Sequence, residues 1–270
     1  MSGAGNDFIL IDHRTSLFAD APAAQGFARA VCERKFSVGA DGLILLEDSD
    51  EADFRWHFFN ADGSVAEMCG NGARCAARFA HHIGLAPSKM RFVTLAGIIE
   101  AEVSGTSVRL AMTLPGEFTL DQRLDTPQGS HETVHWVNTG VPHAVIFLPE
   151  IDEAPVKEWG RHFRFHSRFA PAGTNVNFVG SLEENRLRVR TYERGVEDET
   201  MACGTGAVAA ALVAARLGLV VSPTPIVTSG REELVIHYRV EGEKISGVEL
   251  EGPADFIYDG ELHQEALRRL

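Results

Sequence analysis

Short apolar runs behind turn residues recur along the whole chain. FRWHFFNADGS (54–64) alternates apolar and polar positions into an Asn-containing turn, and LRVRTYERGVE (187–197) into a Glu-Arg-Gly turn, so each predicts a strand that ends in a turn. GAGNDFILID (3–12), GADGLILLE (39–47), TGVPHAVIFL (139–148) and GTNVNFVGS (173–181) repeat one layout. Each is a strand behind a polar or glycine turn. Two segments instead carry helical spacing. Ala73, Ala76, Ala77, Ala80 and Ile83 recur after Cys69, and Ala207, Val208, Ala211, Leu212 and Ala215 recur after Cys203. Gly84 and Gly218 suit the left-handed position that ends a helix. The second helix has hardly any polar face, which predicts one surrounded by its own strands. RLAMTLPGEF (109–118) is expected to pass from one lobe to the other, and ADFIYDGEL (254–262) to return as a strand.

These elements are written twice. Gly5 and Gly140 lie 135 residues apart; Gly39 and Gly173, and Cys69 and Cys203, lie 134 apart. The text aligns GADGLILLE (39–47) with GTNVNFVGS (173–181). Constant offsets over ordered landmarks mark an internal duplication. The predicted fold is α+β, with two pseudo-symmetric lobes. Each is a mainly antiparallel sheet wrapped around a central helix, with the active site in the cleft between them. The N-terminal lobe is read as 1–115 plus 254–270 and the C-terminal lobe as 116–253.

Composition narrows the partner. The chain has 270 residues, 44% hydrophobic and 23% charged, with a formal net charge of −13 and only 8% aromatics. Nucleic acid and acidic membrane surfaces are disfavoured by that charge, leaving a small-molecule ligand. MSGAGNDFILID lacks a basic, apolar leader, and GAVAAALVAARLGLVV (206–221) is interrupted by Arg216 and falls short of the roughly 20 residues that span a bilayer. A cytoplasmic location is expected. Four cysteines without a C-x-x-C spacing exclude a disulfide framework and make no zinc site. No metal is expected. A homodimer is left open.

The chemistry lies in MCGNGARC and ACGTGA. A helix N-terminus presents unpaired amides and the positive end of a dipole, so it favours a thiolate and a substrate carboxylate. One cysteine in a small-residue helix start is ordinarily an inert filler. Two at matched positions of a duplicated chain instead suit proton removal from one face of a carbon and delivery to the other. Cys32 and Cys75 have no counterpart in the other half and keep the inert reading. A cysteine nucleophile with a histidine base needs only one thiol, and only His143, in GVPH, has a motif-like place. A catalytically silent amino-acid-binding protein needs neither thiol. Asn6, Asn60, Asn175, Glu193 and Arg194 sit where a repeated strand turns into a loop; each alone reads as a turn residue, but together they can ring a ligand. Glu193 and Arg194 can grip an ammonium and a carboxylate. None of Lys35, Lys89, Lys157 and Lys244 has a Schiff-base context, and no dinucleotide or phosphate motif occurs, so no cofactor is expected.

The motifs GAGNDF, NADGS with MCGNGARC, GVPH, GTNVNF, YERG and ETMACGTGA together resemble diaminopimelate epimerase over nearly the whole chain. The resemblance implies a pyridoxal-phosphate-independent isomerase that interconverts L,L- and meso-diaminopimelate for lysine and peptidoglycan synthesis. It implies Cys69 and Cys203 as the acid/base pair and Gly70, Asn71, Gly204 and Thr205 as backbone donors. Asn6, Asn60, Asn175, Glu193 and Arg194 become substrate contacts, and His143 and Glu193 helpers of proton exchange at the thiols. Departures are Val141 where many members have Asn, Gly42 where many have Gln, and a loop ERGVEDET one residue longer than usual. Members also carry strand residues ahead of the position of Met1, so an incomplete first strand is expected. Proline racemases favour a histidine after MCG, where this chain has Asn71, and phenazine-type isomerases lack the cysteine pair.

Overall fold

The structure, a computed structural model, describes residues 1–242 and 244–267. It divides into two compact units, Met1–Leu110 together with the chain from Gly252 on, and Ala111–Glu251. The first unit contains β1 (Ser2–Gly3), β2 (Asn6–Asp12), α1 (Ala21–Cys32), β3 (Gly42–Glu47), β4 (Phe54–Asn60), α2 (Gly70–His82), β5 (Lys89–Thr94), β6 (Gly97–Ser104) and β7 (Ser107–Ala111). Its strands neighbour one another in chain order. β2–β3 and β4–β5 are parallel and the rest antiparallel. Parallel neighbours need a long crossover, and α1 and α2 supply the two. Helix α2 packs on β1, β2, β3 and β6.

The second unit contains β8 (Phe118–Asp125), β9 (His131–Asn138), β10 (Pro142–Phe147), α3 (Val156–Arg164), β11 (Asn175–Glu183), β12 (Arg186–Glu193), β13 (Asp198–Thr200), α4 (Gly204–Arg216), β14 (Thr224–Val227), β15 (Glu233–Glu241) and β16 (Lys244–Pro253). Here β10–β11 and β12–β14 are the parallel pairs, crossed by α3 and α4, and the other pairs are antiparallel. The senses from β9 to β16 repeat those from β1 to β7, the topological signature of the duplication. Helix α4 packs on β9, β10, β11, β12, β14 and β15. Every residue from 207 to 214 is at most 1% exposed, so the apolar helix is surrounded as its sequence predicts.

Both central helices end alike. Gly84 (φ 68°) and Gly218 (φ 72°) adopt the left-handed conformation. Their amides return to His81 O and Ala215 O, and the next amides to Ala80 O and Ala214 O. A residue with a Cβ would be strained at either position.

The ladders correct the textual alignment by one residue. Phe8 pairs with Gly42 and Ile44 with Phe58 in the first unit. His143 pairs with Asn175 and Asn177 with Thr191 in the second. Phe8 therefore corresponds to His143, Ile44 to Asn177 and Phe58 to Thr191. Counting from Gly39 and Gly173 puts Leu43 opposite Asn177 instead, because the turn after Gly173 is one residue shorter. In a strand that single step exchanges the two faces.

Residues 254–262 also differ from expectation. They form no named strand; one bridge joins Asp255 to Ser2, after which the chain runs irregularly past α2. Phe256 lies under the Arg78 guanidinium, 4.9 Å from ring centroid to Cζ, and beside His82. Side-chain anchoring replaces the ladder there. With β2 this segment lines a cavity of about 550 Å³.

Candidate active site

Each C-G-x-G motif opens a helix in the same way. Cys69 (φ −148°, ψ 117°) and Cys203 (φ −125°, ψ 107°) are the N-caps of α2 and α4, and neither thiol caps its helix by a side-chain hydrogen bond. Their carbonyls accept from Ala73 N (2.8 Å) and Ala207 N (2.9 Å). Both cysteines are partly exposed. The first-turn amides at Gly70, Asn71, Gly204 and Thr205 thus sit in the backbone arrangement that favours an anion. Cys32 and Cys75 are buried, and burial pushes each thiol up to about 12, which fits inert filling.

The glycines of the motif do different work. Nothing lies within 4 Å of a Cβ built on Gly70. On Gly72 it would meet Ile44 Cδ1 at 3.2 Å and Phe8 at 3.5 Å. On Gly206 it would meet Asn177 Oδ1 at 2.3 Å, Thr191 Oγ1 at 3.2 Å and Cys203 Sγ at 3.3 Å. The second glycine lets each helix start lie on its sheet.

In the first unit the predicted residues gather partly. Asn71 Nδ2 donates to Asn6 Oδ1 (2.8 Å), and Asn6 Nδ2 donates to Asp41 Oδ2 (2.8 Å). Asn71 Oδ1 accepts from Arg74 Nη2 (2.9 Å), and Arg74 Nε donates to Pro253 O (3.1 Å). Arg74 is fully buried. Asn60 stands apart from this chain; it is exposed, and its amide donates to Ser64 Oγ within its own turn (3.0 Å).

In the second unit Asn175 Nδ2 donates to Pro142 O (3.1 Å), while its Oδ1 accepts from Arg194 N (2.8 Å). Arg194 Nη1 donates to Ala172 O (3.2 Å), beside a cavity of about 430 Å³ also lined by Trp136, Asn138, Pro142 and Arg168. The Thr205 carbonyl accepts from Thr139 Oγ1 (3.1 Å). Burial raises the Glu193 carboxyl above its ordinary range, partly offset by the Thr200 hydroxyl. His143 is completely buried, and desolvation, aided by the Arg194 charge, lowers it to about 3.

A family model described as Diaminopimelate epimerase matches residues 1–115 and 135–257. Diaminopimelate epimerase of Aquifex aeolicus (strain VF5) is 44% identical, covering 99% of this chain and 98% of that protein. The chain belongs to the diaminopimelate epimerase family. A second relative of that name, from Hydrogenobaculum sp. (strain Y04AAS1), is 45% identical, covering 97% of each. A solved structure of a Bacillus anthracis phenazine biosynthesis protein, PhzF family, shares the fold with a TM-score of 0.67 at 15% identity, over 94% of this chain and 92% of that one.

Within this family member, sequence reasoning passed over Asp41, Arg74, Asn177 and Thr191. Arg74 lies within the helical motif MCGNGARC, five residues after Cys69, and a charge so close to an apolar helix stripe was the available signal. Asn177 and Thr191 carried none beyond a polar residue on a buried strand.

Among the described residues, one other cluster has ligand-like composition: Asp125, His162 and His166, whose ligand atoms lie within 4.8 Å of one another. The Arg168 amide donates to His166 Nδ1 (3.1 Å), so in the neutral ring Nε2 carries the proton, toward Asp125 Oδ1 (3.0 Å). That geometry is an internal hydrogen-bond set. Among the described residues no helix is long and apolar enough to cross a membrane.

Proposed function

We propose that the chain epimerises L,L-diaminopimelate to meso-diaminopimelate without a cofactor, in the cytoplasm, with Cys69 and Cys203 as a thiolate/thiol pair. One observation carries the reading: a family member has two helix starts of one construction, each with a partly exposed cysteine at the N-cap.

The α-proton of an amino acid is weakly acidic, so its removal needs a base close to working pH and fixed positive potential where charge develops. A sulfur supplies the base. The first-turn amides of Gly70 and Asn71, and of Gly204 and Thr205, supply the potential for the reacting carboxylate without reorganising. One thiolate takes the α-proton while the opposite thiol gives a proton to the other face. The two sulfurs exchange protonation states in each turnover, and the net charge of the pair is unchanged. Both sulfurs must reach the same carbon, a requirement of the reading that one thiol alone cannot meet.

The polar turns hold the remainder of the substrate. Arg194 suits a carboxylate and Glu193 an ammonium, with Asn6, Asn60 and Asn175 as further contacts. Arg168 and Arg194 at the 430 Å³ cavity support an acidic ligand on this side. His143 and Glu193 assist proton exchange at the thiols. The test is reaction in heavy water: diaminopimelate should gain deuterium at one α-carbon as its stereochemistry equilibrates. No exchange by the reduced, full-length protein sinks the proposal, and exchange into proline moves the chain to a different substrate.

A further inference from the structure

Asn177 lies outside the set of residues placed in the reaction above, yet every polar atom of its buried amide is used. Nδ2 lies 2.9 Å from Ala144 O and 3.0 Å from His143 Nδ1. A carbonyl oxygen only accepts, so the nitrogen end of the amide must face it; reversing the amide would set two acceptors against each other. The same NH2 group therefore also donates to Nδ1. Oδ1 accepts from Thr191 Oγ1 at 2.9 Å, which pins the other end. Both Asn177 and His143 are 0% exposed and Thr191 is 3% exposed.

A ring that accepts at Nδ1 carries its proton on Nε2. That Nε2 is buried and has no protein hydrogen-bond partner among the described residues. We propose that Asn177, braced by Thr191, is a positioning residue that holds His143 as a neutral ring with its proton on Nε2. The inference rests on the two-thiol reading for its effect on rate, but not for the state of the ring.

A hydrogen-bond partner at Nδ1 favours the imidazolium when the ring donates to it. Here the partner is itself a donor, and a protonated ring would oppose an N–H to an NH2 group. Burial and the Arg194 charge act in the same direction. Of the charged groups, Arg194, next after the end of β12, acts on the ring; Glu193 ends that strand, and Cys203 Sγ shares the space over Gly206 with Asn177 and Thr191. The consequence is functional: the ring offers one fixed N–H to an anion and keeps the same charge across the working pH range, so it adds no titration of its own to that of the thiols.

The test uses the full-length protein labelled with ¹⁵N-histidine, with His143 assigned by its loss in His143→Gln. The expected spectrum shows an Nε2–H ring that does not titrate between about pH 5 and 9. Asn177→Asp provides an acceptor, so the proton should move to Nδ1 or the ring should titrate as an imidazolium. Turnover should then fall on the order of 10²-fold at nearly constant KM, with a changed pH–rate profile. Thr191→Val loosens the brace without adding charge and should give the same trend to a smaller extent, which guards against an Asp variant that fails to fold. An Nδ1–H or cationic ring in the unaltered protein overturns the proposal, as does an Asn177→Asp protein with unchanged ring and rate. Absence of turnover with the expected ring spectrum overturns the two-thiol reading alone.

Discussion

Behind Cys69, the helix start rests on Ile44 and Phe8, with Phe58 edge-on to Phe8 at 5.8 Å between centroids. Behind Cys203, the corresponding ladder positions hold Asn177, His143 and Thr191. The backbone plan is common to both; the chemistry behind it is opposite. An apolar trio needs only to be packed, whereas a buried polar trio is stable only when its donors and acceptors are matched. The repeated backbone plan places a cysteine at the start of each helix, while the second half has a hydrogen-bonded ring that the first half lacks. Equivalence of position does not make the halves equivalent in proton handling.

The largest expected effect tests the part of the plan the halves share. Cys69→Ala and Cys203→Ala should each lower epimerisation by at least about 10³-fold while leaving circular dichroism and the melting transition nearly unchanged. A rate within tenfold of normal in either variant would show that one half-site suffices. Gly206→Ala and Gly72→Ala test where the halves diverge. A Cβ at Gly206 stands 2.3 Å from a pinned amide oxygen, whereas at Gly72 it stands 3.2 Å from the movable end of Ile44. Denaturant unfolding should give a loss of about 1–3 kcal/mol for the first and clearly less for the second. Equal losses would remove the distinction.

The remaining effect is a slope. His143 takes up its second ring proton only below about 3 in the folded protein but near 6.5 in an ordinary environment. Between these values the unfolded chain binds the extra proton, so stability is full above pH 6.5 and falls with acidification by up to about 1.4 kcal/mol per pH unit. Glu193, raised by burial, acts with the opposite sign, its contribution weakening as pH rises through its own range. His143→Asn should therefore flatten the acid limb relative to the unaltered protein, which shares every other titrating group. An identical slope in both proteins would mean that the ring is not held neutral.

The sequence exposed the glycines and cysteines because their roles are local: a left-handed turn or a helix cap leaves the same letters in both halves. Gly5 and Gly140, at φ 104° and 105°, are of this kind. What it hid depends on register. A one-residue difference after Gly173 decides whether Leu43 or Ile44 corresponds to Asn177, and no composition rule separates those pairings. Arg74 was hidden because an alanine-rich helix predicts apolar burial, while its guanidinium is satisfied by the Asn71 amide oxygen of its own helix and by the Pro253 carbonyl from a distant segment. At 254–262 no ladder forms beyond the bridge at Asp255, and Phe256 is anchored by Arg78 and His82 instead.

Helix α4, enclosed over residues 207–214, also bears on how this chain can change over generations. With no solvent face, nearly every substitution along it either opens a void or forces neighbours apart. Helix α2 leaves His81 and His82 in solvent and so retains places where neutral variation can accumulate. Substitutions at 207–214 should therefore be tolerated less often than substitutions at His81 and His82, so the helix that begins after Cys203 has less room to vary than the end of the helix that begins after Cys69.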